Sequence, residues 1–238
     1  MTSPADFRTT RWTQVLASRS ESAAAKTALS DLCAAYYAPV ISFLRADGRA
    51  EDAARELAHD FFARVLERQS FGGADPARGR FRSYLLGALK HFLTDHRRRA
   101  VAAKRGSGSD PLPLLTGTDT SPGFEIPDAT TAPSDLIFDR QWALTLLDRS
   151  LLALGAEFAS PDERAQFAAL KPWLTGEPGT PQSAAAAQLG LNENAVKVAI
   201  HRLRRRFREL VKSEIAQTVA DAAEQRAELE HLIRVLAA

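Results

Sequence analysis

The stretch Ser183-Ala-Ala-Ala-Ala-Gln-Leu-Gly190-Leu191-Asn192-Glu193-Asn194-Ala195-Val196-Lys197-Val198-Ala199-Ile200-His201-Arg202 reads as a short helix, a glycine turn and a helix restart. Gly190 suits the left-handed position that ends a helix, because it has no Cβ to clash there. Ala185, Ala186, Leu189, Leu191, Val196 and Ile200 fit the inward positions of a helix-turn-helix, with Ala186 small where the two helices come close. On the second helix Val196, Ile200, Leu203, Phe207 and Leu210 form one apolar stripe. Asn194, Val198, His201, Arg205 and Arg208 project from another face. Polar groups at the helix N-terminus can meet base edges in a DNA groove, and arginines further along can meet phosphates. The alternative is a helical hairpin that only packs.

The rest of the chain points to helix as well. It has 238 residues, 43 of them alanine, few β-branched residues and no strand-like alternation. Apolar residues make up 45%, which is too many for a disordered chain. A lone cysteine, Cys33, excludes a disulfide framework and a cysteine-based zinc site. No apolar run approaches a membrane span and the first residues hold no signal core, so a cytoplasmic protein is expected. Five of the twelve prolines, Pro111, Pro113, Pro122, Pro127 and Pro133, fall close together. Residues 106–139 carry six acids (Asp110, Asp119, Glu125, Asp128, Asp135, Asp139) and no Lys or Arg.

The expected fold is all-α: two small helical domains joined by a flexible acidic linker, the second containing the helix-turn-helix. The expected bounds are 1–105, a linker at 106–133, 134–217, and a C-terminal helical extension at 218–238. In the first domain, residues 22–44 read as a helix bent at Pro39, burying Leu29, Leu32, Tyr36, Tyr37 and Val40. Residues 50–67 bury Leu57, Phe61, Val65 and Leu66, and residues 82–101 bury Leu85, Leu89 and Phe92. Gly72, Gly73 and Pro76 mark a loop between them. In the second domain a helix capped near Ser134 or Asp135 buries Leu136, Trp142, Leu146 and Leu147, and another runs over residues 161–173. A last helix from about Asp221 has Leu229, Leu232, Ile233 and Leu236 at helical spacing; that apolar edge can fold back on the second domain or bind a partner, and folding back is the expectation.

The net charge of +2 hides two basic runs. Residues 78–105 hold nine Lys/Arg and one acid, and residues 197–212 hold seven and one, leaving the remainder at −12. One such run is commonly a solvated face. Two, one in each domain, are an electrostatic footprint for a polyanion. In the first run Phe81, Tyr84, His91, Phe92 and His96 interleave with Arg82, Lys90, Arg97, Arg98 and Arg99. That mixture suits single-stranded or unstacked bases. The alternative for Phe81, Tyr84 and Phe92 is a place in the core. His59-Asp60, with His91, Asp95 and His96 as further donors, is a weak pattern for a His-Asp metal-dependent phosphohydrolase. No phosphate loop, nucleophile elbow or zinc spacing accompanies it, so no catalytic residue, metal or cofactor is assigned.

Three ordered motifs resemble those of the extracytoplasmic-function (ECF) sigma factors of bacterial RNA polymerase. Glu56-Leu-Ala-His-Asp-Phe-Phe-Ala-Arg64 is similar to the Asp-Leu-x-Gln-Glu-x-Phe helix of sigma region two, with His59 in place of Gln. Phe81-Arg-Ser-Tyr-Leu, continuing to Asp95-His-Arg-Arg-Arg99, is similar to that region's basic helix, with Tyr84 in place of Trp and His91 where Asn is common. Leu189-Gly-Leu and Ala195-Val-Lys through Arg202 resemble sigma region four. Residues 208–219 and the helical tail look like a subgroup with a C-terminal extension. The resemblance implies a non-enzymatic initiation subunit, monomeric when free and not bound to membrane. Its partners would be core RNA polymerase, promoter DNA and an anti-sigma factor or other regulatory protein. It places Glu56, Leu57, His59, Asp60 and Phe62 against polymerase. It places Arg82, Lys90, His91, Thr94, Asp95, Arg97, Arg98 and Arg99 at the melted minus-ten strand. Asn192, Asn194, Lys197, Val198, His201, Arg202 and Arg205 would lie at the minus-thirty-five duplex, with the acidic linker threading toward the RNA path. A stand-alone helix-turn-helix regulator is the alternative function.

Overall fold

Tyr36 breaks the first apolar stretch into two helices, α1 (Ala23–Ala35) and α2 (Tyr37–Ala46). The break lies three residues before Pro39, where the sequence led one to expect the bend. Proline has no N–H and its ring clashes with the carbonyl four residues back, so the first helix must end at Ala35. Pro39 is instead accommodated in the first turn of α2, where an N–H has no helical partner to lose. The chain continues through α3 (Glu51–Glu67), α4 (Phe81–Arg105), α5 (Pro133–Ala156), α6 (Pro161–Leu170), α7 (Pro172–Thr175), α8 (Gln182–Leu189), α9 (Glu193–Ala216) and α10 (Ala222–Ala237). This computed structural model describes residues 23–67, 80–105, 133–176, 179 and 181–238. The glycine loop at 72–76 and the acidic stretch 106–132 fall outside the described residues. The fold is all-α, and among the described residues one isolated antiparallel bridge, Arg80 with Val219, stands apart from the helices. No single described helix is long and apolar enough to cross a membrane.

Two compact units emerge: residues 1–145 with 216–238, and residues 146–215. The first gathers α1–α4, the start of α5, and α10. Its core is aromatic. Tyr36 stacks on Trp142 with ring centroids 3.7 Å apart, and Phe81 and Phe138 lie against the same indole, each at 5.9 Å. Phe61 meets Phe92 at 5.6 Å, and Leu32, Val40, Leu44, Leu85 and Leu89 are fully buried in the same unit. The tilted pairs among these rings contribute about 0.5–1.5 kcal/mol each beyond the area they bury.

This grouping differs from the expected bounds. The first turns of α5 and the whole of α10 group with the N-terminal residues, not with residues 146–215. The cause is polar and was invisible to hydrophobic spacing. Arg82 is only 7% exposed, and it is held by Asp139 of α5 and Glu228 of α10. Glu228 is fully buried, so α10 turns this carboxylate inward together with Leu232, and the expected core residue Ile233 is left 57% exposed. In α5 the inward positions are Phe138, Asp139, Trp142 and Ala143, which puts Leu136 on the outside at 52% exposure. Leu66, expected in the core, is also exposed. Asp221 caps α10 as its sequence suggests, accepting from the Glu224 N–H at 2.8 Å.

The second unit has its own core of Leu154, Leu170, Trp173, Ala185, Ala186, Val196, Ile200 and Leu203. Ser160 and Glu163 form a reciprocal capping box around Pro161 at the start of α6. The helix expected to run through to Trp173 is interrupted, because Pro172 cannot continue it and instead opens α7. Gly190 ends α8 with φ +65°, and Leu191 N–H returns to the Ala186 carbonyl at 2.9 Å. That pattern is a Schellman-type stop, which only a residue without Cβ adopts cheaply. Leu191 itself lies outside the core at 38% exposure.

Candidate nucleic-acid interface

The basic run on α4 divides into a covered part and an open part. Arg82 is the most deeply covered. Its Nε donates to Glu228 Oε1 at 2.7 Å and its Nη1 to Asp139 Oδ1 at 2.6 Å. Arg80 adds a longer contact to Glu228 at 3.3 Å, and His231 Nε2 donates to the second Asp139 oxygen at 2.8 Å. A guanidinium so enclosed cannot contact a DNA strand, so the expectation that Arg82 binds the minus-ten strand is corrected: it joins α4, α5 and α10. Further along, Lys90 Nζ donates to Asp135 at 2.6 Å and Arg97 to Asp47 at 2.7 Å, both pairs near the surface. Arg98 and Arg99 are exposed, and among the described residues no carboxylate pairs with them. His91, Thr94 and Asp95 are exposed on the same helix, with the Thr94 hydroxyl donating back to the Lys90 carbonyl at 3.0 Å.

Of the five rings in this run, His91 alone is exposed, so they do not form a continuous platform. Phe81 and Phe92 are buried, and Tyr84 is half-buried with its phenol raised by burial and by nearby Cys33. His96 is half-buried beside Phe92. The open part of α4 is therefore cationic and polar, not a base-stacking surface.

The Arg82 cluster has a definite electrostatic character. Burial alone would raise the Asp139 carboxyl, but the His231 hydrogen bond and the Arg82 charge outweigh it and hold the carboxyl below its ordinary 3.8. Burial alone would lower the Arg82 guanidinium, and its two carboxylate partners more than reverse this. A depressed carboxyl adds stability that is intact above the ordinary value and disappears as pH falls through the folded one. Asp139→Asn is thus expected to be less stable at neutral pH and to lose less on acidification below about pH 4. Urea unfolding over a pH series checks this, and a variant whose stability falls as steeply as wild type would contradict it.

On α3, Glu56, His59 and Asp60 are exposed along one side. Leu57 and Phe62, expected beside them against polymerase, are buried, and Phe62 packs on Phe61 and Tyr37. They support the face from beneath. Tyr37, expected in the core, is half-buried and its hydroxyl lies 3.0 Å from His59 Nε2. Among the described residues no three His, Cys, Asp or Glu side chains converge as a metal site would require.

In the second unit the α9 stripe Val196, Ile200 and Leu203 is buried, with Phe207 and Leu210 packed partly against it. Asn194, Lys197, Val198, His201, Arg202, Arg205 and Arg208 are all exposed. Asn192 is exposed too, but its Oδ1 accepts from the Ala195 N–H at 2.8 Å and so caps α9. Two other arginines of the run are structural. Arg204 donates to the Trp173 carbonyl at 3.0 and 3.2 Å, and Arg206 grips Glu157 with contacts from 2.5 to 3.0 Å. The Arg206 hydrogen bonds pull the Glu157 carboxyl down, although the pair is exposed. Arg205 is loosely paired with Glu209 at 3.5 Å and mostly solvated. No family model, curated protein or solved structure matches this chain.

Proposed function

We propose that this chain is an initiation subunit of the sigma type, which binds core RNA polymerase and directs it to promoters. The observation that carries the reading is the pairing of two open cationic faces, one in each compact unit. Arg98 and Arg99 stand beside His91, Thr94 and Asp95 on α4, and Lys197, Arg202, Arg205 and Arg208 stand on α9. The α4 face would contact the opened minus-ten strand. The α8–Gly190–α9 arrangement would act as a helix-turn-helix on the minus-thirty-five duplex, with Asn194, Val198 and His201 toward base edges and the arginines toward phosphates. Glu56, His59 and Asp60 would form an acidic and polar patch for polymerase. The motif resemblance supports the same assignment.

One observation favours a second reading. Residues 146–215 hold a complete core and an open α9 face of their own, which is all that a stand-alone helix-turn-helix regulator needs. Gel shifts of promoter duplex with and without core polymerase separate the two. The initiation reading expects a sequence-specific complex only when core enzyme is present. A specific complex of equal affinity without core enzyme would establish the regulator instead.

A further inference from the structure

The cations of α4 that carry partners draw those partners from other elements. Arg82 meets Glu228 of α10 and Asp139 of α5, Lys90 meets Asp135 of α5, and Arg80, just before α4, adds a contact to Glu228. Asp135 and Asp139 are four residues apart, so they share one face of α5. The two contacts differ in depth. At Arg82 every charged side chain is at least nine-tenths buried, whereas Lys90 keeps 45% of its side chain in solvent. Asp135 is also badly satisfied: Oδ2 serves Lys90, while Oδ1 is buried with no hydrogen-bond partner among the described residues. A carboxylate oxygen in that position is penalised, and the turn that carries it would gain by moving to water.

We infer that the first turn of α5 is an internal anionic cover for Lys90, tethered by the buried Arg82 cluster, so that a nucleic-acid strand must displace Asp135 to use the full α4 ridge. This inference rests on the reading of α4 as a nucleic-acid face. The chemistry suits a cover and not a lock. Lys90 keeps its ammonium in solvent while Asp135 is 13% exposed, so the pair is worth on the order of a fivefold change in an equilibrium constant, and a phosphate can compete with it. The Arg82 cluster does not need to open. It keeps Asp135 close, which makes the carboxylate a local competitor whose effect is weak but always present. The device would hold back adventitious binding of the free chain to single strands, yet yield where a strand is held in place.

The test uses the full chain and a fluorescent single-stranded oligonucleotide, with anisotropy measured across a salt series and no polymerase present. Asp135→Asn is expected to bind about fivefold more tightly, and its salt slope to steepen by about 0.7 for the phosphate that Lys90 gains. Lys90→Ala should change little in the wild-type background and should cancel the gain in the Asp135→Asn background. Asp135→Ala, which also removes the unpaired buried oxygen, is expected to give the same gain and guards against a folding defect peculiar to one variant. Unchanged affinity and slope in both Asp135 variants, while Arg98→Ala still weakens binding, would overturn the cover alone. No binding by any of these proteins, with Arg98→Ala indistinguishable from wild type, would overturn the ridge reading and the cover with it.

Discussion

Arg82→Met is expected to destabilise the first unit by about 3–5 kcal/mol, because it takes from two buried carboxylates the cation they share. Glu228 has no exposure to recover solvation and, among the described residues, would keep the longer Arg80 contact alone, while Asp139 would keep His231. Methionine fills similar space, so the loss would come from charge and not from a cavity. Arg82→Lys should recover only part of it, since one ammonium cannot reproduce the contacts that Nε and Nη2 make to Glu228 while Nη1 serves Asp139. The triple change Arg82→Met, Asp139→Asn, Glu228→Gln removes the charges together and is expected to be milder than Arg82→Met alone. Urea unfolding followed by circular dichroism checks all three. A loss below about 1 kcal/mol for Arg82→Met would mean that the cluster is solvated in solution.

Arg98→Ala with Arg99→Ala is expected to have the largest functional effect. If each arginine neutralises one phosphate of a single strand, the salt slope falls by about 1.4, and at 0.1 M salt affinity falls about 25-fold. Stability should be almost untouched, because both side chains are exposed and, among the described residues, carry no carboxylate. Arg55→Ala is the control: Arg55 pairs with Glu51 on α3, away from the proposed strand, and its loss should leave the slope as it is. A slope unchanged by the double variant would remove α4 from the nucleic-acid face.

Much of the fold was legible because apolar spacing reports it directly. The α8–Gly190–α9 stretch was readable to within a residue, since a left-handed glycine, small alanines and a long apolar stripe all gave the same answer. The start of α6 was marked by Pro161, and α10 by Asp221. Errors arose where a charged side chain does what an apolar one usually does. Glu228 and Asp139 face inward, so the periodic Leu136 and Ile233 lie outside, and apolar spacing alone does not reveal that α10 groups with the N-terminal residues. The basic runs were visible as composition, but composition does not say which arginines are engaged within the fold. Arg82, Arg204 and Arg206 are engaged; Arg98, Arg99, Arg202 and Arg208 face water. Leu57 and Phe62 show the same limit on α3, where the motif mixes core and surface positions on one helix.

On the proposed reading, the first turn of α5 covers Lys90 while Arg98 and Arg99 stay open on the same helix, so a change in that turn would alter the number of charges offered by one and leave the open pair as it is.

The central claim is tested most directly by reconstituted transcription. Core polymerase is supplied with genomic DNA, with and without this chain, and the 5′ ends of the transcripts are sequenced. The account predicts new start sites that appear only with the chain and share two upstream elements at fixed separation. Identical start sites in the two reactions would contradict it.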